Sequence, residues 1–345
     1  MNHCFIIAEA GVNHNGSAEL ALKLVDAAAE AGADAVKFQT FKADKLVTKY
    51  AATAEYQKKH TGSDDQYTML KSLELSDDFH KVLFEHCKRK DIEFISTPFD
   101  KDAADFLVGL GMEKLKVPSG ELTNIPLIEH FAAYNKPIIL STGMADLGEV
   151  REAVNAVQAI RDQKGFKEPL ADKLTILHCT SNYPTRNEDV NLKAIQTIAC
   201  EFALPVGYSD HTKGTLISVA SVAMGATVVE KHFTLDKNLS GPDHQSSLEP
   251  DELASMVKQI RQVSTCLGDG IKVPRANELP IRELVRRSVV LARDMKLGDT
   301  LQPDDLVLLR PGTGIPPKDL ATLLGRKLKA SKCAGELLSW DDLAL

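Results

Sequence analysis

Two histidines are the clearest candidates for chemistry in this chain. His211 and His232 each end a short apolar segment, VGYSDH and VVEKH, and lie 21 residues apart. If these segments are neighbouring parallel strands, their carboxyl ends meet at one edge, where both imidazoles can hold one divalent cation. Asp210 and Glu230 are acidic neighbours that could bind the ion or orient the histidines. The pattern suits Mn²⁺, Mg²⁺, Fe²⁺ or Zn²⁺, and the alternative is a pair of histidines with only structural hydrogen bonds.

Lysines and hydroxyls at other segment ends indicate an anion site. Lys37 and Lys116 each lie inside an otherwise apolar segment, where a buried ammonium group is costly unless it meets an anion. Hydroxyl donors end three further segments, at Thr97, Ser119 and Ser141. Ammonium and hydroxyl donors gathered in one place bind phosphate or carboxylate groups. The alternative is that the lysines extend to solvent and the hydroxyls only terminate strands.

Three more residues are candidates for binding or proton transfer. Glu9 is a carboxylate at the end of an apolar segment, and limited contact with water can raise its pKa far enough for acid–base work. Asp243, in the turn SGPDHQ, could bind sugar hydroxyls or orient an aldehyde. Tyr183 precedes Pro184, which favours an extended backbone and a fixed position for a sugar contact. The alternatives are a structural acceptor role for Glu9 and a simple Asx turn at Asp243.

These residues end eight apolar, β-branched segments that alternate with helical patterns. The first segment, IIAE, ends at Glu9, and the last, VVEKH, ends at His232. Amphipathic periodicity predicts helices over 18–31, 79–90 and 148–161. Continuous apolar strands that alternate with helices predict a parallel sheet covered on both faces, and eight units match a closed (β/α)8 barrel. The active site of such a barrel lies at the carboxyl ends of its strands.

Composition favours a globular protein without a nucleic-acid or membrane partner. The 345 residues carry a net charge of −7, with 43% hydrophobic and 26% charged residues and no long basic run. The six cysteines are scattered without a CxxC pair, as expected for reduced thiols. The short apolar run before Glu9 is predicted to be a strand rather than a signal peptide. We therefore expect a cytoplasmic protein.

Length and pattern predict two domains. Residues 1–267 are expected to form the barrel, 268–287 a linker, and 288–345 a compact β-rich domain. Between the second and third strands lies a long polar insert, residues 40–91, of the kind that shapes substrate access in barrels. A domain as small as the last one usually needs a partner surface for its stability.

Taken together, the motifs resemble the bacterial sialic acid synthase family. The resemblance rests on AEAGVNHNG, VKFQTF, FISTPFD, KVPSGELTN, ILSTGM, LHCTSNYPT, GYSDHT, EKHFTLD and GPDHQSSLEPDEL. The tail, with RRSVVLARDMKLGDTL and LLRPGTGI, resembles the C-terminal antifreeze-like (SAF) domain of that family. The resemblance spans nearly the whole chain and implies a TIM barrel followed by a small β-rich SAF domain of the β-clip type.

The resemblance also implies a role for each candidate residue. A divalent metal, most often Mn²⁺ in the family, with Mg²⁺ or Co²⁺ as alternatives, would be bound by His211 and His232. Phosphoenolpyruvate would be held by Lys37, Thr97, Lys116, Ser119 and Ser141. An N-acylated hexosamine would face Glu9, Gln39, Ser181, Tyr183 and Asp243, of which Glu9 and Asp243 are the catalytic candidates. Arg310 would reach the N-acyl group from the neighbouring subunit of a domain-swapped homodimer. The insert around 57–70 would add a sugar ligand, for which Gln66 is our choice.

The implied reaction joins phosphoenolpyruvate to N-acetylmannosamine and water, giving N-acetylneuraminate and phosphate with cleavage of a C–O bond. The alternative is a legionaminate or pseudaminate synthase that uses a 2,4-diacetamido-2,4,6-trideoxy hexose. A metal-dependent barrel hydrolase is disfavoured because no HxH motif follows the first strand. A sugar-binding barrel without activity is disfavoured because every polar position expected at the barrel mouth is filled.

Overall fold

The protein divides into two units at the junction of Gly268 and Asp269. The structure is a computed structural model that describes residues 3–49 and 65–344. Each unit has its own apolar core. Within the described residues, no helix has both the length and the apolar character needed to cross a membrane.

Eight parallel strands form a nearly closed barrel in the first unit, which confirms the predicted fold class. In hydrogen-bonded order the strands run β3-β2-β1-β8-β7-β6-β5-β4, and β3 lies beside β4 where the ring closes. The strands are Phe5–Gly11 (β1), Ala35–Thr40 (β2), Glu93–Pro98 (β3), Leu115–Val117 (β4), Ile138–Ser141 (β5), Leu174–Cys179 (β6), Val206–Asp210 (β7) and Val228–His232 (β8).

Helices cover the outside of this barrel, as the alternating pattern predicts. They are Ala18–Glu30 (α1), Asp77–Arg89 (α4), Lys101–Leu110 (α5), Ile125–Ala132 (α6), Leu147–Lys164 (α7), Lys193–Phe202 (α8), Leu216–Ala223 (α9) and Pro250–Cys266 (α10). Two further helices, Ala43–Leu46 (α2) and Gln66–Ser72 (α3), belong to the insert between β2 and β3, where they pack against each other. Local signals fix their ends. Helix α7 begins at a capping box between Asp146 and Glu149 and ends at Gly165, whose φ of 74° suits a residue without a Cβ.

The interior of the barrel is built in layers. An apolar layer consists of buried side chains from six strands: Ile7, Ala35, Ile95, Ile139, Leu177 and Val228. Two residues further along the same strands, and therefore on the same inward face, lies a buried polar layer. We define this polar layer by Glu9, Lys37, Thr97, Ser141, Cys179 and Glu230, together with Lys116 and Ser209 from β4 and β7. The two-residue period of the strands thus places the polar layer directly above the apolar layer.

The second unit is small and contains one antiparallel pair of strands, Ser288–Leu291 (β9) and Leu306–Leu309 (β10). Its core consists of Val289, Leu291, Met295, Leu301, Ile315, Leu323, Leu328, Leu338 and Leu343. Short 3₁₀ turns and isolated β-bridges make up much of the remainder. Most of the segment predicted as a linker, 268–287, groups with this unit and carries helix Leu279–Val285 (α11). Backbone hydrogen bonding explains this, because Gly312 N donates to Glu283 O at 2.6 Å.

Candidate active site

A cavity of about 200 Å³ opens at the carboxyl ends of the barrel strands. Its wall contains most of the residues singled out in the sequence: Glu9, Lys37, Gln39, Thr97, Lys116, Ser119, Ser141, Ser181, Tyr183, His211 and His232. These residues come from every strand of the barrel or from the loop that follows it. Barrel closure therefore brings together side chains that lie up to 223 positions apart in the sequence, from Glu9 to His232.

Lys37 is surrounded by oxygen atoms at the floor of this cavity. Its Nζ lies 2.7 Å from Glu9 Oε2 and 3.7 Å from Glu230 Oε2. It also donates a hydrogen bond of 3.0 Å to Thr97 Oγ1. Because the lysine and both glutamates are buried, this ion cluster exists in a weakly screened environment. Lys37 consequently points into the barrel rather than out to solvent.

Lys116 forms the second cationic position, across Glu230 from Lys37. Its Nζ donates to Ser141 Oγ at 2.8 Å and to Glu230 Oε1 at 3.3 Å. Ser209 donates a further hydrogen bond of 3.1 Å to the same Glu230 oxygen. Glu230 thus bridges the two lysines, a position that sequence reasoning missed when it treated this residue only as a neighbour of the histidines. The signal was present, since Glu230 lies two residues before His232 and must share its inward face.

Burial and neighbouring charges shift the pKa values of Glu9 and Glu230 in opposite directions. Burial raises the pKa of Glu9 to about 7, although the charge of Lys37 acts in the opposite direction. Burial also acts to raise the pKa of Glu230, but the charges of Lys116 and Lys37 outweigh it and lower that pKa to about 2. Two carboxyls with pKa values pushed apart are suited to different tasks: Glu230 remains a fixed anion, whereas Glu9 can exchange a proton near neutral pH.

The two histidines lie side by side, with ring centroids 5.6 Å apart. The His211 Nδ1–H donates to the Thr180 carbonyl at 2.7 Å, which leaves its Nε2 lone pair free for another partner. His232 Nδ1 is buried and has no hydrogen-bond partner among the described residues. Tyr183 packs against both rings, at centroid distances of 4.0 and 5.6 Å. An oriented imidazole beside one with an unpaired buried nitrogen fits the predicted metal site.

The side-chain ion pair and hydrogen bonds of Asp210 lie on the side of the strand away from these histidines. Its carboxylate lies 3.0 Å from Lys231 Nζ and accepts hydrogen bonds from Thr212 and Ser218. Neighbouring residues of a strand face opposite ways, so His211 points inward and Asp210 outward. Of the two roles predicted for Asp210, direct binding of an ion does not fit this position. Across the described residues, His, Cys, Asp and Glu side chains form no group of three or more suited to a metal ion. The protein ligands available to an ion here are therefore the two imidazoles.

Ser181 lies on the anion side of the cavity rather than apart from it. Ser119 Oγ accepts a hydrogen bond of 2.9 Å from the Gly143 N–H. A Cβ added to Gly143 would lie 2.8 Å from Ser119 Oγ and 2.2 Å from Ser181 Oγ. Both hydroxyls therefore meet at a backbone position that has no room for a side chain. Ser181, predicted as a sugar contact, shares this corner with Ser119, predicted to bind phosphoenolpyruvate.

Asp243 is held in place by the loop that follows β1. Asn13 Nδ2 donates to Phe233 O at 2.8 Å and to Ser247 Oγ at 3.0 Å. Ser247 in turn donates to the Asp243 carbonyl at 2.7 Å, and Asn15 Nδ2 donates to another carbonyl of the same loop. Burial raises the pKa of Asp243 to about 6 against the charge of His211. Asp243 lies outside the cavity wall, but its carboxyl is close enough to His211 for the charge of that histidine to lower its pKa.

Three predicted sugar contacts occupy different settings. Gln39 Nε2 lies 3.5 Å from Glu9 Oε1 in the cavity wall. Gln66 begins helix α3 and does not line the cavity, and residues 50–64 of the insert lie outside the described part of the chain. Arg310 follows β10 in the second unit, where it is exposed. Its contact with a neighbouring subunit stays a prediction.

The barrel and its polar layer define an enzyme for an anionic substrate, with two cationic side chains, several hydroxyls and a pair of imidazoles around one cavity. The chain belongs to the NeuB family, whose family model matches residues 24–272, and residues 286–344 match the SAF domain. The predicted family is confirmed. So is the predicted enzyme class, a phosphoenolpyruvate-dependent synthase that forms a carbon–carbon bond.

Individual relatives are similar along nearly their whole length. The chain is 54% identical over 341 residues to N,N'-diacetyllegionaminic acid synthase of Legionella pneumophila, covering 99% of this chain and 94% of the relative. Identity to N,N'-diacetyllegionaminic acid synthase of Campylobacter jejuni is 48%, over 94% of this chain and 96% of that one. The crystal structure of N-acetylneuraminic acid synthetase from Leptospira borgpetersenii, in complex with citrate, superposes with a TM-score of 0.72 at 36% identity. That match covers 81% of this chain and 90% of the other.

Proposed function

We propose that this enzyme condenses phosphoenolpyruvate with a 2,4-diacetamido-2,4,6-trideoxy hexose and water, giving N,N'-diacetyllegionaminate and phosphate. The observation that carries the proposal is the 54% identity to the Legionella pneumophila legionaminic acid synthase over 99% of the chain. The N-acetylneuraminate reaction, which the sequence analysis put first, has weaker support, since the structural relative named for that product is 36% identical. The legionaminate reaction, predicted from the sequence as the alternative, is therefore preferred.

The polar layer supplies the binding site for phosphoenolpyruvate. Lys37 and Lys116 would neutralise its phosphate and carboxylate, and the hydroxyls of Thr97 and Ser141 already contact these two lysines. Glu230, held as an anion between the lysines, keeps both ammonium groups oriented before the substrate arrives. Such preorganised charges stabilise the transition state without rearrangement during the reaction.

The carbon–carbon bond forms when the enol carbon of phosphoenolpyruvate attacks the aldehyde carbon of the open-chain sugar. The aldehyde oxygen becomes a hydroxyl and takes its proton from Glu9, whose raised pKa leaves much of it protonated near neutral pH. Water then adds to the cationic carbon that bears the phosphate, and one of its protons restores protonated Glu9. The bond from this carbon to the bridging oxygen breaks, phosphate leaves with that oxygen and the second proton, and the new hydroxyl becomes the keto group of the product. The protein forms no covalent bond to either substrate in this sequence.

We also propose that His211 and His232 hold a divalent ion, Mn²⁺ in preference to Mg²⁺ or Co²⁺. The hydrogen bond from His211 Nδ1 to Thr180 O and the unpaired Nδ1 of His232 support this assignment. When bound, the ion would supply Lewis-acid polarisation of the aldehyde oxygen. Tyr183, packed on both rings, keeps them from turning away from the cavity.

The proposed enzyme is a cytoplasmic, domain-swapped homodimer in which Arg310 of one subunit reaches the sugar's N-acyl group in the other. Two properties of the second unit support a partner: it is small, and Arg310 is exposed on it. Measurement of mass in solution, with and without residues 269–345, tests the dimer. A monomeric full-length chain would contradict it.

Turnover of purified protein with phosphoenolpyruvate and each candidate sugar tests the reaction itself. We expect phosphate release to be fastest with the 2,4-diacetamido-2,4,6-trideoxy hexose that leads to legionaminate, and slower with its pseudaminate isomer or N-acetylmannosamine. Faster turnover of N-acetylmannosamine would return the neuraminate assignment to first place. In ¹⁸O-labelled water the label should appear in the sugar product, and label in phosphate would refute C–O cleavage.

A further inference from the structure

A buried ion pair lies on the outer side of the barrel wall, directly behind the two histidines. Asp210 and Lys231 face each other across β7 and β8, with Asp210 Oδ2 3.0 Å from Lys231 Nζ. Both side chains have an exposed fraction of 0%. Each residue immediately precedes one of the histidines in the chain, and the strand alternation turns it away from the cavity.

Further hydrogen bonds fix this pair on all sides. Asp210 Oδ1 accepts from the backbone N–H and the hydroxyl of Thr212, both at 2.8 Å. Asp210 Oδ2 accepts from Ser218 Oγ in helix α9 at 2.5 Å. Lys231 Nζ donates to the Thr212 carbonyl at 2.5 Å. The turn after His211 is thus tied to the strand that carries His232.

A pair of fully buried charges is an expensive way to hold two strands together, because both ions lose their hydration. Neighbouring parallel strands already share backbone hydrogen bonds, and apolar side chains could fill the same space. The ion pair adds a geometric constraint on the two strand ends. A charge pair with four hydrogen bonds is directional, so it favours one separation and one orientation of the two strand ends, whereas apolar contacts have no preferred direction.

We propose that Asp210 and Lys231 are positioning residues that set the separation and orientation of His211 and His232 for a divalent ion. The inference rests on the metal site of the proposed function. It deepens that site by naming residues that never touch the ion or the substrates. Residues that hydrogen-bond a ligating histidine typically change metal affinity about 10–100-fold when they are removed, and residues that act through the strands should fall at the lower end of that range.

The test measures Mn²⁺ binding to the full-length protein without substrates, from the loss of the electron paramagnetic resonance signal of free Mn²⁺. We expect Lys231→Met and Asp210→Asn to weaken Mn²⁺ binding, with a Kd about tenfold higher than that of the wild type. Ser218→Ala removes only one hydrogen bond to Asp210 and should weaken Kd several-fold. If Lys231→Met and Asp210→Asn do not fold, Ser218→Ala decides the question.

A matched control separates positioning from general loss of stability. Asp34 forms an ion pair of 2.7 Å with Arg261 and accepts a hydrogen bond from Ile6 N at the start of β1, at the other end of the barrel. Asp34→Asn should lower the Tm yet leave the Mn²⁺ Kd within about twofold of wild type. If every folded variant of Asp210, Lys231 and Ser218 bound Mn²⁺ with wild-type affinity, the positioning role would be wrong and the metal site would stand. Failure of the wild-type protein to bind Mn²⁺ would overturn the metal site and this inference together.

Discussion

The apolar and polar layers of the barrel interior come from the same strands and differ by two residues in sequence. Ile7 precedes Glu9, Ala35 precedes Lys37, and Val228 precedes Glu230. Both layers are buried, yet only the apolar one gains free energy simply by leaving water. The polar layer must satisfy each charge with another charge or a hydroxyl, and it does so through the two lysines and two glutamates.

Stability and chemistry therefore occupy adjacent pleats of one sheet. The apolar layer closes the bottom of the cavity and keeps water from the underside of the charged groups. The polar layer then operates in a weakly screened setting, where Glu9 and Glu230 acquire very different pKa values. Substitutions in one layer should therefore change stability, and substitutions in the other should change activity.

The largest effect is expected from Lys116→Met, which removes the cation shared by Ser141 and Glu230. We expect kcat/KM for phosphoenolpyruvate to fall about 10³-fold, since a preorganised donor to the substrate anion is lost. Phosphate release at saturating sugar measures this. The matched control is Lys114→Met, two residues earlier, where the ammonium pairs with Glu93 at 2.6 Å outside the cavity wall. Equal losses in both variants would contradict the separate role of the polar layer.

Glu9→Gln should lower kcat about 10²-fold by removing the proton donor. In the wild type, kcat should decline as pH rises through about 7, because the protonated form of Glu9 is the active one. The variant should lack that decline. The folded-state pKa of Glu9 lies above the ordinary value of 4.5, so between pH 4.5 and 7 the unfolded chain ionises Glu9 more readily than the folded protein. The free energy of unfolding therefore falls as pH rises through this window. The variant has no carboxyl at this position and should lack that fall. An unchanged pH profile in Glu9→Gln would assign the proton to another group.

Ser141→Ala tests a neutral member of the polar layer. Ser141 Oγ accepts the 2.8 Å hydrogen bond from Lys116. Its removal should raise KM for phosphoenolpyruvate about tenfold, the size expected for one hydrogen bond to a charged group. Steady-state kinetics with varied phosphoenolpyruvate give this value. A change confined to the KM for the sugar would show that Ser141 binds the sugar rather than phosphoenolpyruvate.

The smallest effect is expected from Ile7→Val in the apolar layer. Ile7 is fully buried, and removal of one methylene should lower the free energy of unfolding by about 1 kcal/mol. Urea denaturation measures the change, with kcat/KM expected to stay at the wild-type value. A loss of activity comparable to that of Ser141→Ala would show that the two layers are not separable.

Many site residues could be predicted because the strand period repeats so regularly. Lys37 and Lys116 each interrupt an apolar run, and His211 and His232 each end one, so their inward position follows from local pattern. The partners of these side chains did not follow. Whether Lys116 meets Glu230 depends on how far β4 and β8 are staggered around a closed ring, and no local pattern encodes that stagger.

By itself, the sequence determined eight strand–helix units, the polar residues at their ends and the resemblance to the sialic acid synthase family. The reason is that burial, helix capping and strand alternation act over a few residues. Only the tertiary structure decided that Glu230 bridges Lys37 and Lys116, that Asp210 pairs with Lys231, and that Ser181 lies beside Ser119. Those pairings depend on which strands lie side by side and in what register, and barrel closure brings even Lys116 and Glu230, 114 positions apart, within hydrogen-bond distance.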